Sequence, residues 1–219
     1  MNKVLITGAN RGIGLELCRQ LHGRGDKVVA VCRTASSELK SLNLHVIEGI
    51  DVTEDESLSM LREQPGLEKL DWLINNAGVL SVENLDQLDF EAMERQFRVN
   101  ALGPLRVTST LLPHLSAGSK IGIITSRMGS IGDNTSGGYY GYRVSKAAVN
   151  MVGVNLARDL QDRDIAVALL HPGMVATDMS GGRGVPPEQS ARGLIQRMDA
   201  LNMSQTGRFW HAEGKELPW

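Results

Sequence analysis

Strand-length apolar runs and helix-length periodic segments alternate along almost the whole chain, and no other feature limits the fold so severely. Val4-Leu5-Ile6, Lys27 to Cys32, Leu44 to Ile47, Asp71 to Ile74, Ile121 to Thr125 and Ile165 to Leu170 read as strands. Between them Ile13, Leu15, Leu17, Cys18 and Leu21 trace one helical stripe that stops at Gly23 and Gly25. Phe90 to Val99, Leu105 to Leu115 and Tyr142 to Asp162 read as further helices. Strands that are apolar at successive positions need cover on both faces, and helices between them supply it, so the strands pair in parallel. Right-handed crossovers then favour an α/β, doubly wound sheet. With 219 residues, no internal repeat and no linker longer than Ser180 to Gly184, the chain reads as one domain spanning 1–219.

Thr7-Gly8-Ala9-Asn10-Arg11-Gly12-Ile13-Gly14 falls between the first strand and the first helix. Glycines there permit a tight turn and let backbone approach a pyrophosphate at the helix N-terminus, where free N–H groups and the helix dipole favour anions. The position, directly after a strand and before an amphipathic helix, points to a dinucleotide rather than to a packing turn. No Gly-Lys-Ser/Thr follows, so it is not a P-loop. The second strand ends Val31-Cys32-Arg33-Thr34 without the acid that would accept bonds from a ribose 2′-hydroxyl. Arg33 and Arg11 could instead converge on a 2′-phosphate, which favours NADP(H) over NAD(H).

Several function classes are set aside. Lys and Arg number 23 against 25 Asp and Glu, a net charge of −2, so no nucleic-acid surface is expected. The first apolar run is too short for a membrane span or a secretory leader. Cys18 and Cys32, the only cysteines, sit in apolar surroundings and read as buried free thiols, as suits a cytoplasmic protein. The five histidines show no metal-ligand spacing, and no metal is assigned.

Tyr142-Arg143-Val144-Ser145-Lys146 opens the long helix, and residues four apart share a helix face. A free phenol, with a pKa of about 10, is a weak acid near neutrality. A neighbouring cation favours phenolate and would lower that value. Ser126 ends the fifth apolar strand, where strand ends border the ligand crevice of an open sheet, and its hydroxyl could hold a substrate carbonyl. Asn100 and the turn Asn75-Asn76-Ala77-Gly78 add polar groups nearby.

Taken in order, Thr7-Gly8 to Gly14, Asp51-Val52, Asn75 to Gly78, Asn100, Ser126, Tyr142 with Lys146, and Pro172-Gly173-Met174-Val175-Ala176-Thr177 resemble the short-chain dehydrogenase/reductase superfamily, compact type. Asn10-Arg11, Ser126 to Ser130 and the ending Glu216 to Trp219 are most similar to its sniffer/C-factor-like carbonyl reductases. The resemblance implies a Rossmann fold with a mostly parallel sheet of about seven strands, NADP(H) as cofactor and a small-molecule carbonyl substrate. It implies Tyr142 as general acid, Ser126 orienting the carbonyl, Lys146 binding the nicotinamide ribose and depressing the tyrosine pKa, and Asn100 helping to hold a relay water. Asp51 with Val52 would contact the adenine, and Pro172, Gly173, Val175 and Thr177 would flank the carboxamide.

Some alternatives stay open. Ser130 rivals Ser126, because the loop from Arg127 to Gly141 is longer than in most compact members. Tyr139 and Tyr140 line the pocket or pack against that loop. A short lid around 178–200, glycine-rich at its start, predicts a mobile cover, an open pocket and broad substrate tolerance. Met174, Met179, Met198 and Met203 fill core gaps or soften the pocket. A homodimer through the two long helices is weighed against a monomer. The rival function is a non-catalytic NADP-binding signalling or regulatory protein.

Overall fold

The computed structural model describes every residue from Met1 to Trp219. The chain runs β1 (Lys3–Thr7), α1 (Gly12–Gly23), β2 (Lys27–Val31), a single-turn α2 (Ser37–Lys40), β3 (His45–Ile47), α3 (Asp55–Arg62) and β4 (Leu70–Asn75). It continues with α4 (Phe90–Phe97), a π-helical turn (Arg98–Leu102), α5 (Gly103–Leu111), β5 (Leu115–Ile124), α6 (Tyr140–Asp159), β6 (Ala166–His171), α7 (Pro187–Ala200) and β7 (Arg208–His211). All seven strands form one sheet in the order β3-β2-β1-β4-β5-β6-β7, and every neighbouring pair is parallel. This is the doubly wound α/β fold that the alternation predicts.

Successive strand residues point to opposite faces, and here both faces are buried. Val4, Ile6, Val28, Ala30, Ala168 and Leu170 join α1 and α7 in one core. Leu5, Val29, Val31, Ile121, Ile123 and Val167 join α3, α5 and α6 in the other. Truncating Leu5, Ile6, Ile121, Ile123 or Leu170 to alanine costs about 2–5 kcal/mol. The order reverses between β1 and β4, so a crevice opens at the carboxyl ends of those strands.

Several boundaries differ from expectation. The helix expected to reach Leu115 stops at Leu111; Pro113 cannot continue the ladder, and Leu115 already begins β5. The helix expected from Tyr142 begins at Tyr140, after Tyr139 in the left-handed region (φ 51°). The lid expected over 178–200 is corrected: residues 187–200 are α7, entered through Pro187, and Ala191, Leu194, Ile195 and Met198 pack it into the core. The rest, 178–186, is the covering loop, and Pro187 and Glu188 at the start of α7 also line the crevice. That loop is pinned at its base, where Val185 N–H donates to Met174 O (2.8 Å) and Ala176 N–H to Val185 O (2.9 Å).

Candidate active site

A crevice of about 1940 Å³ runs along the carboxyl edge of the sheet from Arg33 and Asp51, past the glycine-rich turn, to Ser126, Tyr142 and Lys146. Sites for one drug-sized ligand span about 300–1,000 Å³, so there is room for a dinucleotide and a second molecule.

At its first end the glycines are forced. Gly8 has φ +65°, and a Cβ on it would lie 2.7 Å from Ala77 Cα. Gly12 has φ +54° and would press a Cβ to 3.3 Å from Thr177 Cγ2. A Cβ on Gly14 would be driven into the carbonyl oxygen of Gly8, which is how α1 packs so close to the turn. Asn76 braces it, donating from Nδ2 to Thr7 O (3.1 Å) and Gly8 O (3.0 Å). Thr7 Oγ1 returns the favour by accepting from Asn76 N (3.1 Å) and Ala77 N (3.2 Å). Arg11 is the N-cap of α1, yet no side chain caps that helix, so its first-turn N–H groups remain for an anion. This cradle fits a pyrophosphate. Asn10, Ile13, Val52, Ala77 and Gly78 line the same wall.

Two expectations change here. Asn75 is not a crevice residue: it is buried, and its Nδ2 donates to Thr108 Oγ1 (3.2 Å) on α5. Strand alternation turns Asn75 away and Asn76 inward. Nor do Arg11 and Arg33 stand clear of carboxylates. Arg11 pairs with Asp178 (3.2 Å) of the covering loop, while Arg33 stands beside Asp51. Burial disfavours the Asp51 carboxylate, but hydrogen bonds from Thr53 and the charges of Arg33 and Arg95 outweigh it and hold the carboxyl below its ordinary range.

The other end gathers side chains from four segments. Lys146, 5% exposed, donates from Nζ to Ile124 O (3.0 Å) at the tip of β5 and lies 5.6 Å from the centre of the Tyr142 ring. Burial lowers the ammonium pKa to about 8. Burial also pushes the Tyr142 phenol up to about 12, with the nearby Ser126 hydroxyl pulling the other way. The expected depression of the phenol by Lys146 is therefore absent in the chain alone; desolvation dominates. Ser126 lines the crevice, whereas Ser130 lies buried behind it and accepts from Asp133 N–H (3.1 Å).

Asn100 sits in the π-helical turn, a feature common at functional sites. Its side chain is fully engaged: Oδ1 accepts from Val79 N–H (2.8 Å), and Nδ2 donates to Val79 O (2.9 Å) and Ser145 Oγ (3.0 Å). Ser145 in turn donates to Tyr142 O (2.8 Å). The amide is thus a brace on the first turn of α6. Pro172, Gly173, Val175 and Thr177 form the opposite wall with Met174 and Met179. Met198 and Met203 pack into the core instead. Tyr139 lines the crevice; Tyr140 does not.

Three contributors are not among the site residues that the sequence predicts. Glu83 is a buried carboxylate that accepts from Gly141 N–H (3.2 Å), Gln96 Nε2 (3.0 Å) and the Ser81 hydroxyl, so it caps α6 from a distant loop. Gly129 lies so close to α6 that a Cβ would meet Lys146 C at 2.6 Å, which sets Ser126 over the helix. Half-buried His171 has its Nδ1 sealed from solvent, and burial, His211, Arg127 and Lys146 together lower its pKa to about 3. It is neutral beside the lysine at ordinary pH.

A doubly wound sheet with a glycine cradle at one end and a buried tyrosine, serine and lysine at the other defines a dinucleotide-linked oxidoreductase. Residues 2–185 match the family model described as short chain dehydrogenase, and the chain belongs to that family. It is 45% identical over 227 residues to 1-hydroxy-2-glutathionyl-2-methyl-3-butene dehydrogenase of Rhodococcus sp. (strain AD45), covering all of both chains. It is 47% identical over 154 residues to C-signal of Myxococcus xanthus, covering 68% of this chain and 93% of that one. Its fold is similar to NADPH-bound carbonyl reductase from chicken fatty liver, with TM-score 0.92 and 30% identity over 100% of this chain and 99% of that one.

Proposed function

We propose that the chain is an NADP(H)-dependent reductase that converts an aldehyde or ketone to an alcohol, reversibly. Bound at the cradle, NADPH supplies the hydride. The chain supplies the rest. Gly8 to Gly14 receive the pyrophosphate, Arg33 the 2′-phosphate, and Asp51 with Val52 the adenine. Asn76, Ala77 and Gly78 form the floor, and Pro172, Gly173, Val175 and Thr177 hold the carboxamide. Lys146, kept in place by Ile124 O, binds the nicotinamide ribose.

Ser126 hydrogen-bonds the substrate carbonyl oxygen and sets it against Tyr142. As the carbon gains hydride, the Tyr142 hydroxyl gives its proton to the developing alkoxide, and the phenolate left behind is stabilised by the Lys146 ammonium. Positioned general acids of this kind contribute about 10²–10⁴-fold. Asn100 and Ser145 act through position, by fixing the turn that carries Tyr142. In the reverse direction Tyr142 takes the proton from an alcohol, the direction for which the Rhodococcus relative is named.

The observation that carries this reading is the burial of a lysine and a tyrosine side by side in the same crevice as the cradle. Lys146 would serve nucleotide binding as well, but a protein that only bound the nucleotide would have no need of a proton-donating phenol poised beside it. That weighs against a purely signalling role, in spite of the likeness to C-signal. Two buried free thiols support a reducing, cytoplasmic setting. Exposed Leu105, Val144 and Met151 support pairing of α5 and α6 with a second copy.

NADPH consumption against aldehydes, aryl ketones, diketones and oxoacyl esters, repeated with NADH, tests the reading. Turnover of at least one class, faster with NADPH, is expected. Tight NADPH binding with no turnover of any compound would turn the account to the binding-only role.

A further inference from the structure

Resting on that carbonyl-reduction reading, we propose that Arg143 makes the reacting end selective for substrates bearing a carboxylate set apart from the carbonyl. Arg143 follows Tyr142 on α6 and lines the crevice. Its guanidinium is held in place from three sides. Nε donates to Gly137 O (3.3 Å), Nη1 to Met128 O (3.4 Å) and Nη2 to Ser136 Oγ (2.9 Å). All three acceptors are neutral. A guanidinium has five N–H donors, so two remain, and no carboxylate of the chain pairs with the charge.

No neighbouring acid pairs with Arg143: Glu91 and Glu94, which also line the crevice from α4, form no ion pair with it, and the others are engaged elsewhere. Asp133 pairs with Arg127 and Asp178 with Arg11, while Glu83 is buried against Gly141, Gln96 and Ser81. Across the opening, Arg183 donates only to Ser180 O (3.1 Å). The half-buried Arg143 is thus a fixed, preorganised cation on the crevice wall, with no carboxylate of the chain paired to it. Lys146, also a cation of this end, is committed to Ile124 O. A planar fork of this kind suits a carboxylate, and part of its desolvation and ordering is complete before the substrate arrives.

Adjacent helix residues do not face each other, so Arg143 does not compete with Tyr142 for the carbonyl oxygen. An anion it holds must lie to one side of the reacting carbon. The favoured substrate is therefore bifunctional, with a carbonyl at one place and a carboxylate at another.

The test compares para-carboxybenzaldehyde with its methyl ester, which keeps the ring and the carbonyl and removes the charge. In the wild type kcat/KM should favour the acid about tenfold, mostly through KM, as one charge-assisted contact allows. That ratio should shrink in high salt, fall to about one in Arg143→Gln, and survive in part in Arg143→Lys. A wild-type ratio near one, or a ratio unchanged by Arg143→Gln, overturns the proposal and leaves Arg143 as a staple for the loop. Calorimetric titration of the wild-type and Arg143→Gln NADPH complexes with para-carboxybenzyl alcohol reads the same contact without turnover. Equal affinity there also overturns it. Failure of both aldehydes to react, with the alcohol still bound more tightly by wild type, sinks the carbonyl-reduction reading while supporting the anion site.

Discussion

In the proposed reading the glycine cradle works through backbone atoms that side chains only brace, whereas the reacting end works through side chains that backbone and neighbouring side chains hold. Gly8, Gly12 and Gly14 matter for what they lack, and Asn76 and Thr7 clamp the turn they form. Tyr142, Lys146 and Ser126 matter for groups they carry, and Ile124 O, Asn100, Ser145 and Glu83 hold them there. The first end should tolerate no added atoms. The second should tolerate changes of shape better than changes of proton or charge.

The largest effect on nucleotide binding is expected from Gly14→Ala. Its methyl group collides with Gly8 O, so α1 or the turn must shift; NADPH affinity should fall about a hundredfold and stability by about 1–3 kcal/mol. Calorimetry and thermal melting read both, and an alanine accepted without loss would break the comparison. Next comes pH. The Lys146 ammonium is present below about 8 and lost above it, while Tyr142 keeps its proton until about 12. For reduction, kcat/KM for NADPH should therefore fall on the alkaline side with a midpoint near 8, about tenfold per unit beyond it, and Lys146→Arg should move that limb upward. A profile flat far beyond that midpoint would remove the lysine charge from the mechanism.

Glu83→Ala leaves the Gly141 N–H, the Gln96 amide and the Ser81 hydroxyl without their shared acceptor. Stability should drop by about 1–3 kcal/mol and kcat by about tenfold, with NADPH affinity held and Glu83→Gln restoring part of the rate. If affinity fell as well, the two ends would be less independent than described. Arg33→Ala should give the smallest change: the preference for NADPH over NADH should fall about tenfold, read as a ratio of kcat/KM values. An unchanged ratio would leave the 2′-phosphate to Arg11, released from Asp178.

Legibility follows the same division. The cradle was readable because three glycines within one turn, between a strand and a helix, declare their purpose locally. Tyr142 and Lys146 are readable because helical spacing puts them on one face and the ordered motifs around them, Ser126 at a strand end and Asn100 among them, set that pair apart from a chance one. Asn75 and Asn76 could not be told apart, since a strand end turns its side chains to opposite faces and only register decides which looks into the crevice. The helix α7 was hidden because its apolar stripe is narrow and follows a glycine-rich loop that reads as cover. Glu83 was invisible: nothing near Ser81 or Glu83 in the sequence announces that Gly141 will fold against them. The phenol pKa departs from the expected depression for a related reason: depth of burial outweighs the neighbour four residues on.

The central claim is that one buried phenol gives the proton that makes the alcohol. Tyr142→Phe removes that hydroxyl and leaves the ring, so kcat for carbonyl reduction should fall about a thousandfold while the NADPH dissociation constant stays within about twofold. A phenylalanine variant that turns over at a wild-type rate would contradict the account.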